Sequence, residues 1–142
     1  MSLASHVPLL LLRLAILVVA TLLAAAAADT ADARQAKDGK GEVRVAGRCG
    51  AGATSKLKLK ADDGRIEVEF EVEQNRSGRL WRVALVHERR VVWKGRARTT
   101  GSSGSFEVRR LVQDLPGVDV VAARAWGPGG LTCRASASLA GP

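Results

Sequence analysis

Residues Arg65–Glu73 read RIEVEFEVE, with Ile66, Val68, Phe70 and Val72 alternating against Glu67, Glu69, Glu71 and Glu73. A helix would scatter these side chains around its circumference. A strand puts every apolar residue on one face and every glutamate on the other. The same period of two continues through most of the chain. Glu42–Cys49 reads as one strand with Val43, Val45, Gly47 and Cys49 on one face, and Ser55–Lys60 alternates Leu57 and Leu59 with Lys56, Lys58 and Lys60. Arg79–His87 offers Trp81, Val83 and Leu85, and Val91–Arg98 offers Val91, Trp93 and Ala97. Ser105–Val112 offers Phe106 and Val108, with a bulge expected where Arg109-Arg110 breaks the alternation. Val118–Trp126 and Leu131–Leu139 complete the set, the last with Leu131, Cys133, Ala135, Ala137 and Leu139 on one face.

Turn chemistry separates these runs: Asp63-Gly64, Ser77-Gly78, Gly101–Gly104, Pro116-Gly117 and Gly127–Gly130. Short alternating strands between such turns predict an all-β domain over residues 42–139. The expected architecture is an antiparallel β-sandwich of immunoglobulin-like type, with about eight strands. A two-residue turn at Asp63-Gly64 would set Lys60 opposite Glu67, Lys58 opposite Glu69 and Lys56 opposite Glu71, with Leu59 on Val68 and Leu57 on Phe70 behind them. A three-residue loop at Glu88–Arg90 would set Leu85 opposite Trp93, Trp81 opposite Ala97 and Arg82 opposite Arg96. That register predicts Trp81 and Trp93 in the core and Trp126 as the most exposed of the three tryptophans.

The N-terminus follows different rules. Arg13 precedes the apolar run Leu14–Leu23, and Ala24–Ala28 follows it, in the order of a secretory signal peptide. Small residues at Ala26 and Ala28 allow a cut after residue 28, and Ala31 and Ala33 allow one after residue 33. The competing reading is an uncleaved anchor, against which Arg13 interrupts the apolar segment. Residues 29–41, polar and containing glycine, read as a flexible lead-in. After cleavage no stable membrane span is expected, and the protein is placed outside the cell or in the cell wall.

A secretory route puts both cysteines in an oxidising compartment. Cys49 and Cys133 fall on the apolar faces of the first and last strands, so a structural disulfide between them is expected. The wide separation speaks against a redox motif.

Catalytic chemistry is sparse. Beyond the leader, His87 is the sole histidine, and no Ser sits in a nucleophile elbow. His87 reads as a strand-end surface residue, Asp62-Asp63-Gly64 as a turn rather than a calcium loop, and neither a metal nor a cofactor is expected. The glutamate row reads as a solvated face matched by the lysine row; the enzymatic alternative is a small secreted hydrolase using these carboxylates. Asn75-Arg76-Ser77 is an N-glycosylation acceptor, and Asn75 is the only asparagine.

Charge supplies the remaining signal. Lys and Arg number 22 against 14 Asp and Glu, for a net charge of +8. The cluster Arg82, Arg89, Arg90, Lys94, Arg96 and Arg98, with Arg109 and Arg110 further on, is the candidate polyanion-binding surface. Acidic extracellular polysaccharide or an extracellular protein is the expected partner, and nucleic acid is not, since a chain with no Tyr, two Phe and three Trp lacks a stacking platform. The competing account pairs these arginines with the glutamate row.

The strings KLKLKADDGRIEVEFEVEQNRSGRLW (Lys56–Trp81) and GSFEVRR (Gly104–Arg110) resemble segments of a family of small secreted single-domain proteins found in plants and high-GC bacteria. The resemblance implies one secreted domain with a signal peptide and two cysteines. It implies no activity, and no site residue carries over from it.

Overall fold

The computed structural model of the protein describes residues 41–50 and 52–141. The expected signal peptide, both cleavage points and the lead-in before residue 41 lie outside the described residues. Nine strands follow in order: β1 (Glu42–Ala46), β2 (Arg48–Cys49), β3 (Thr54–Asp62), β4 (Arg65–Glu73), β5 (Leu80–His87), β6 (Arg90–Arg98), β7 (Ser105–Gln113), β8 (Val118–Trp126) and β9 (Thr132–Ala140). They form a four-stranded sheet in the order β1-β3-β4-β7 and a five-stranded sheet in the order β2-β9-β8-β5-β6, with every pairing antiparallel. The chain is a β-sandwich, as its alternation predicts.

The core is the set of inward positions. Leu57, Leu59, Ile66, Val68, Phe70 and Val72 from one sheet and Trp81, Val83, Leu85, Val121 and Ala123 from the other are all buried. Each large side chain removed from water in this way contributes roughly 1.5–3 kcal/mol. Trp81 packs at 5.9 Å from the Phe106 ring, and its indole N–H donates to Gln74 Oε1 at 2.8 Å, so the one polar atom of that ring is satisfied inside the core.

The β3–β4 hairpin has the expected register, with Lys60, Lys58 and Lys56 opposite Glu67, Glu69 and Glu71. Asp63 and Gly64 both have positive φ, as a two-residue type I′ turn requires. The β5–β6 hairpin also pairs Leu85 with Trp93, Trp81 with Ala97 and Arg82 with Arg96, but its connection differs from expectation. The turn has two central residues, Glu88 and Arg89, both with positive φ, and a register shift beside Leu85/Val86 leaves Val92 as the extra residue of a bulge. The left-handed backbone is unfavourable for both side chains. It is offset by a clamp on β8: Glu88 N–H donates to Val120 O at 3.1 Å, and Val120 N–H donates to Glu88 Oε1 at 2.7 Å. The bulge also carries Val91 off the core face, leaving it 52% exposed.

Three further expectations are corrected. Arg109-Arg110 makes no bulge, because β4 and β7 pair without interruption from Arg65–Gln113 to Glu73–Ser105. Arg110 occupies a core-facing position at the edge of its sheet, where its guanidinium lies 4.3 Å from the Trp93 ring centroid. Trp93 is half-buried rather than buried, since β6 is an edge strand and Arg110 caps the opening. Its indole lies over Gly95, where any Cβ would come within 2.2 Å of the ring, so glycine makes room for it.

Glu42–Cys49 is likewise two strands and not one. β1 pairs with β3, the chain crosses at Gly47, and β2 pairs with β9 in the other sheet. A Cβ on Gly47 would meet Ser55 Oγ at 2.1 Å and Arg134 O at 2.8 Å, so the crossing needs glycine. Just beyond it Cys49 and Cys133, direct cross-strand partners, form the expected disulfide.

Candidate functional site

The two outer faces carry charge in different ways. On the β1-β3-β4-β7 sheet, acids and bases interleave. Lys58 Nζ lies 3.1 Å from Glu69, Lys56 lies 3.9 Å from Glu71, and Arg109 reaches Glu69 at 2.6 Å, Glu107 at 3.5 Å and Glu67 at 3.6 Å. Burial alone would raise the Glu69 carboxyl, but the Lys58 hydrogen bond and the charges of Lys58 and Arg109 outweigh it and hold the pKa below the usual glutamate value. A depression of about 420 Å³ on this face includes Glu69, Glu71 and Glu107, with Arg44, Lys56 and Lys58 around them. A general acid for hydrolysis needs a carboxyl that holds its proton near neutral pH, and Glu69 is shifted the other way.

The outer face of the β2-β9-β8-β5-β6 sheet is one-signed. Among the described residues its outward positions hold Arg82 on β5, Lys94, Arg96 and Arg98 on β6, Arg124 on β8, Arg134 on β9 and Arg48 on β2, and no Asp or Glu. Arg82, Lys94, Arg96, Arg124 and Arg134 make no ion pair with any described residue. The glutamate row that would neutralise them belongs to the other sheet, so the pairing account holds for Arg109 alone. Arg82 faces Arg96 across the hairpin as expected, a like-charge pair left uncompensated.

A depression of about 490 Å³ opens on this face, lined by Arg82, Val83, Ala84, Lys94, Gly95, Arg96 and Trp126. Ala84 is the small side chain between the long ones. Trp126, 36% exposed, stands beside it, with the Arg82 guanidinium 5.9 Å from its ring centroid. It is the exposed tryptophan, as its place beside the Gly-Pro-Gly-Gly turn predicts.

The structure therefore divides the predicted cluster. Arg82, Lys94 and Arg96 surround the depression. Arg98 is on the same face but donates to Gly78 O at 2.7 Å. Arg89 and Arg90 are elsewhere, at the β5–β6 turn, lining a groove of about 720 Å³ with Trp93, Arg110 and Leu115. Arg124, Arg134 and Trp126 were missed as site residues. The signal existed: Val121, Ala123 and Ala125 are apolar, so their neighbours Arg124 and Trp126 must point outward.

His87 is also corrected. It is 6% exposed, not a surface residue, because it shares the inward parity of Trp81, Val83 and Leu85. Its Nε2 is in a very short contact with Asp119 Oδ1, and the Asp119 carboxylate also accepts from Leu115 N–H at 3.3 Å. Glu88 brings a second carboxylate oxygen, so that one imidazole nitrogen and two carboxylate oxygens lie within 4.8 Å of one another. Each of these groups already has a protein partner: His87 and Asp119 form a buried polar pair, and Glu88, exposed beside them, is held by Val120 N–H. Nearby Asp114 has its pKa raised by desolvation, by its hydrogen bond to Asp119 and by the charge on that carboxylate. Asn75 sits in an exposed turn with φ 56°, its N–H donating to Ser103 O, and its side chain faces solvent.

No family model matches the chain, and a search of curated proteins finds no match.

Proposed function

We propose that this protein is a secreted, non-enzymatic, immunoglobulin-like module that binds an extracellular polyanion, foremost an acidic polysaccharide, through the outer face of the β2-β9-β8-β5-β6 sheet. The observation that carries this is the one-signed face. Uncompensated cations on adjacent strands repel one another and cost stability, so a binding role gives them a reason to persist. The strand order supports an immunoglobulin-like sandwich: β4, β5, β6, β7, β8 and β9 follow the B, C, C′, E, F and G succession, with hairpins and sheet crossings in the same places. Secretion is supported by the leader pattern and by the Cys49–Cys133 bridge, which fits an oxidising compartment.

Binding of the secreted protein to immobilised acidic polysaccharide, measured at two salt concentrations, tests the proposal. Affinity should fall steeply as salt rises, because the cations are exposed and screened. Absence of binding to any polyanion at low salt would refute it.

A further inference from the structure

We propose that the depression over Ala84 is a sugar subsite and that the ligand of this face is a polyuronate, a glycan carrying one carboxylate per sugar, laid across the strands. This deepens the polyanion-binding reading and rests on it.

The cations are arranged in rows that cross the sheet. Arg134, Arg124, Ala84 and Lys94 are successive cross-strand partners, and Trp126, Arg82 and Arg96 form the next row. Neighbouring strands lie about 4.8 Å apart, so each row presents side chains at that pitch. An extended pyranose polymer advances by a comparable distance per sugar. A chain carrying one charge per unit therefore meets Arg134 and Arg124 on consecutive strands, then the opening over Ala84, then Lys94.

The opening has its own chemistry. Its volume of about 490 Å³ falls within the roughly 300–1,000 Å³ of small-molecule sites. Arg82, Lys94 and Arg96 supply donors for a carboxylate, and Trp126 supplies an aromatic wall that Arg82 steadies. A uronate satisfies both: its ring offers an apolar C–H face to the indole while its carboxylate meets the guanidinium groups. A heavily sulfated sugar keeps its ring C–H groups but surrounds them with bulky, strongly hydrated sulfates that hinder close contact with the indole, and a phosphodiester polymer presents no such ring face along its charged backbone. A single-stranded nucleic acid could stack one base on Trp126, but among the described residues this face has no second aromatic for the next base.

The test compares polygalacturonate, its fully methyl-esterified form, heparin and oligothymidylate on the secreted protein, by calorimetry at one fixed salt concentration. Polygalacturonate should bind, and esterification should weaken it by about tenfold or more, since the carboxylate's charge-assisted bonds are lost. Ala84→Met fills the opening without changing a charge and should lower the preference for polygalacturonate over heparin about tenfold. Trp126→Ala should lower the same ratio about fivefold or more, through lost stacking. Thermal melts establish that each variant is folded, and Trp126→Leu serves if Trp126→Ala is not. Heparin binding as tight as polygalacturonate, with a ratio unmoved by both variants, would overturn the subsite while leaving the polyanion-binding reading intact. Tighter binding of oligothymidylate would overturn it in favour of nucleic acid. Failure of every polyanion to bind would remove the reading on which it rests.

Discussion

The two sheets of this sandwich solve the same problem with opposite outcomes. Both need polar residues on their outer faces. On the β1-β3-β4-β7 sheet, Lys58, Glu69 and Arg109 are successive cross-strand neighbours, and each of these three meets an opposite charge, although Arg44 lies opposite Lys58 and Glu71 opposite Glu107. On the β2-β9-β8-β5-β6 sheet, Arg134 and Arg124 are neighbours, and Arg82 faces Arg96. Alternation alone permits either arrangement, so the difference lies in the choice of outward residues and not in the strand pattern. Opposite charges in contact on the first face contribute a little to stability, and like charges side by side on the second cost a little. Among the described residues the charge is thus not spread evenly between the two sheets.

The sharpest way to break this comparison is to neutralise the same number of cations on each face. Arg82→Ser with Lys94→Ser and Arg96→Ser should weaken polyanion binding by about thirty- to a hundred-and-fiftyfold, at roughly 0.7–1 kcal/mol per exposed charge. Arg44→Ser with Lys56→Ser and Lys60→Ser should change it by no more than about threefold, the residual effect of lower net charge. Equal losses from the two triples would mean that net charge, and not the face, governs binding.

Stability should respond in the reverse sense. Arg109→Ala leaves Glu67, Glu69 and Glu107 without their shared cation and should cost about 1 kcal/mol, a few degrees in melting midpoint. Arg82→Ser with Arg96→Ser removes a repulsion together with one cation–π contact and should leave the midpoint unchanged or slightly raised. A larger loss from the basic-face pair than from Arg109→Ala would contradict the assignment of the two faces.

Acid should find the first face and spare the second. The folded protein holds the Glu69 pKa below its ordinary value, so the unfolded chain takes up that proton first as pH falls. The resulting stability is fully present above the ordinary carboxylate range, near about pH 4.3. It is lost as pH drops from there through the lower folded value. Glu69→Gln should therefore lower the melting midpoint at neutral pH, where that contribution is fully present, and converge with the parent in acid, so that its decline below about pH 4 is flatter; an unchanged acid limb would show that the Lys58–Glu69–Arg109 contacts are not populated in solution. The smallest effect is optical: Trp126, on the basic face, should be quenched more strongly by iodide than by caesium, because the local potential concentrates the anion. Trp81 should respond to neither.

Much of this was legible in the sequence, for identifiable reasons. Asp63-Gly64 between two strictly alternating runs determines the β3–β4 register, since a one-residue slip would turn Phe70 and Leu57 to solvent. Trp81 and Cys133 followed from parity in the same way. Parity also held the answer for His87 and Arg124, where residue type drew attention away from position. What alternation cannot express is which sheet a strand joins. Val43, Val45, Gly47 and Cys49 keep one periodicity while the chain passes from β1 to β2, and only the crowding around Gly47 marks the crossing. The β5–β6 turn was obscured for another reason: Glu88 and Arg89 are unusual in a left-handed turn, and the Val120 contacts that compensate come from a distant part of the chain.

The crossing at Gly47 and the bridge beside it also decide how the domain bears tension. Force applied between residues 41 and 141 enters through β1 and β9, the first and last strands among the described residues. At Cys49 it passes through the sulfurs to Cys133, 84 positions further along the sequence, without entering the segment between them. Only β1, Arg48 of β2 and the part of β9 beyond Cys133 can then be peeled away, while β3 to β8 remain outside the load path. In single-molecule stretching the extensible length is therefore short while the bridge is intact, and reduction of one covalent bond releases the whole hidden loop.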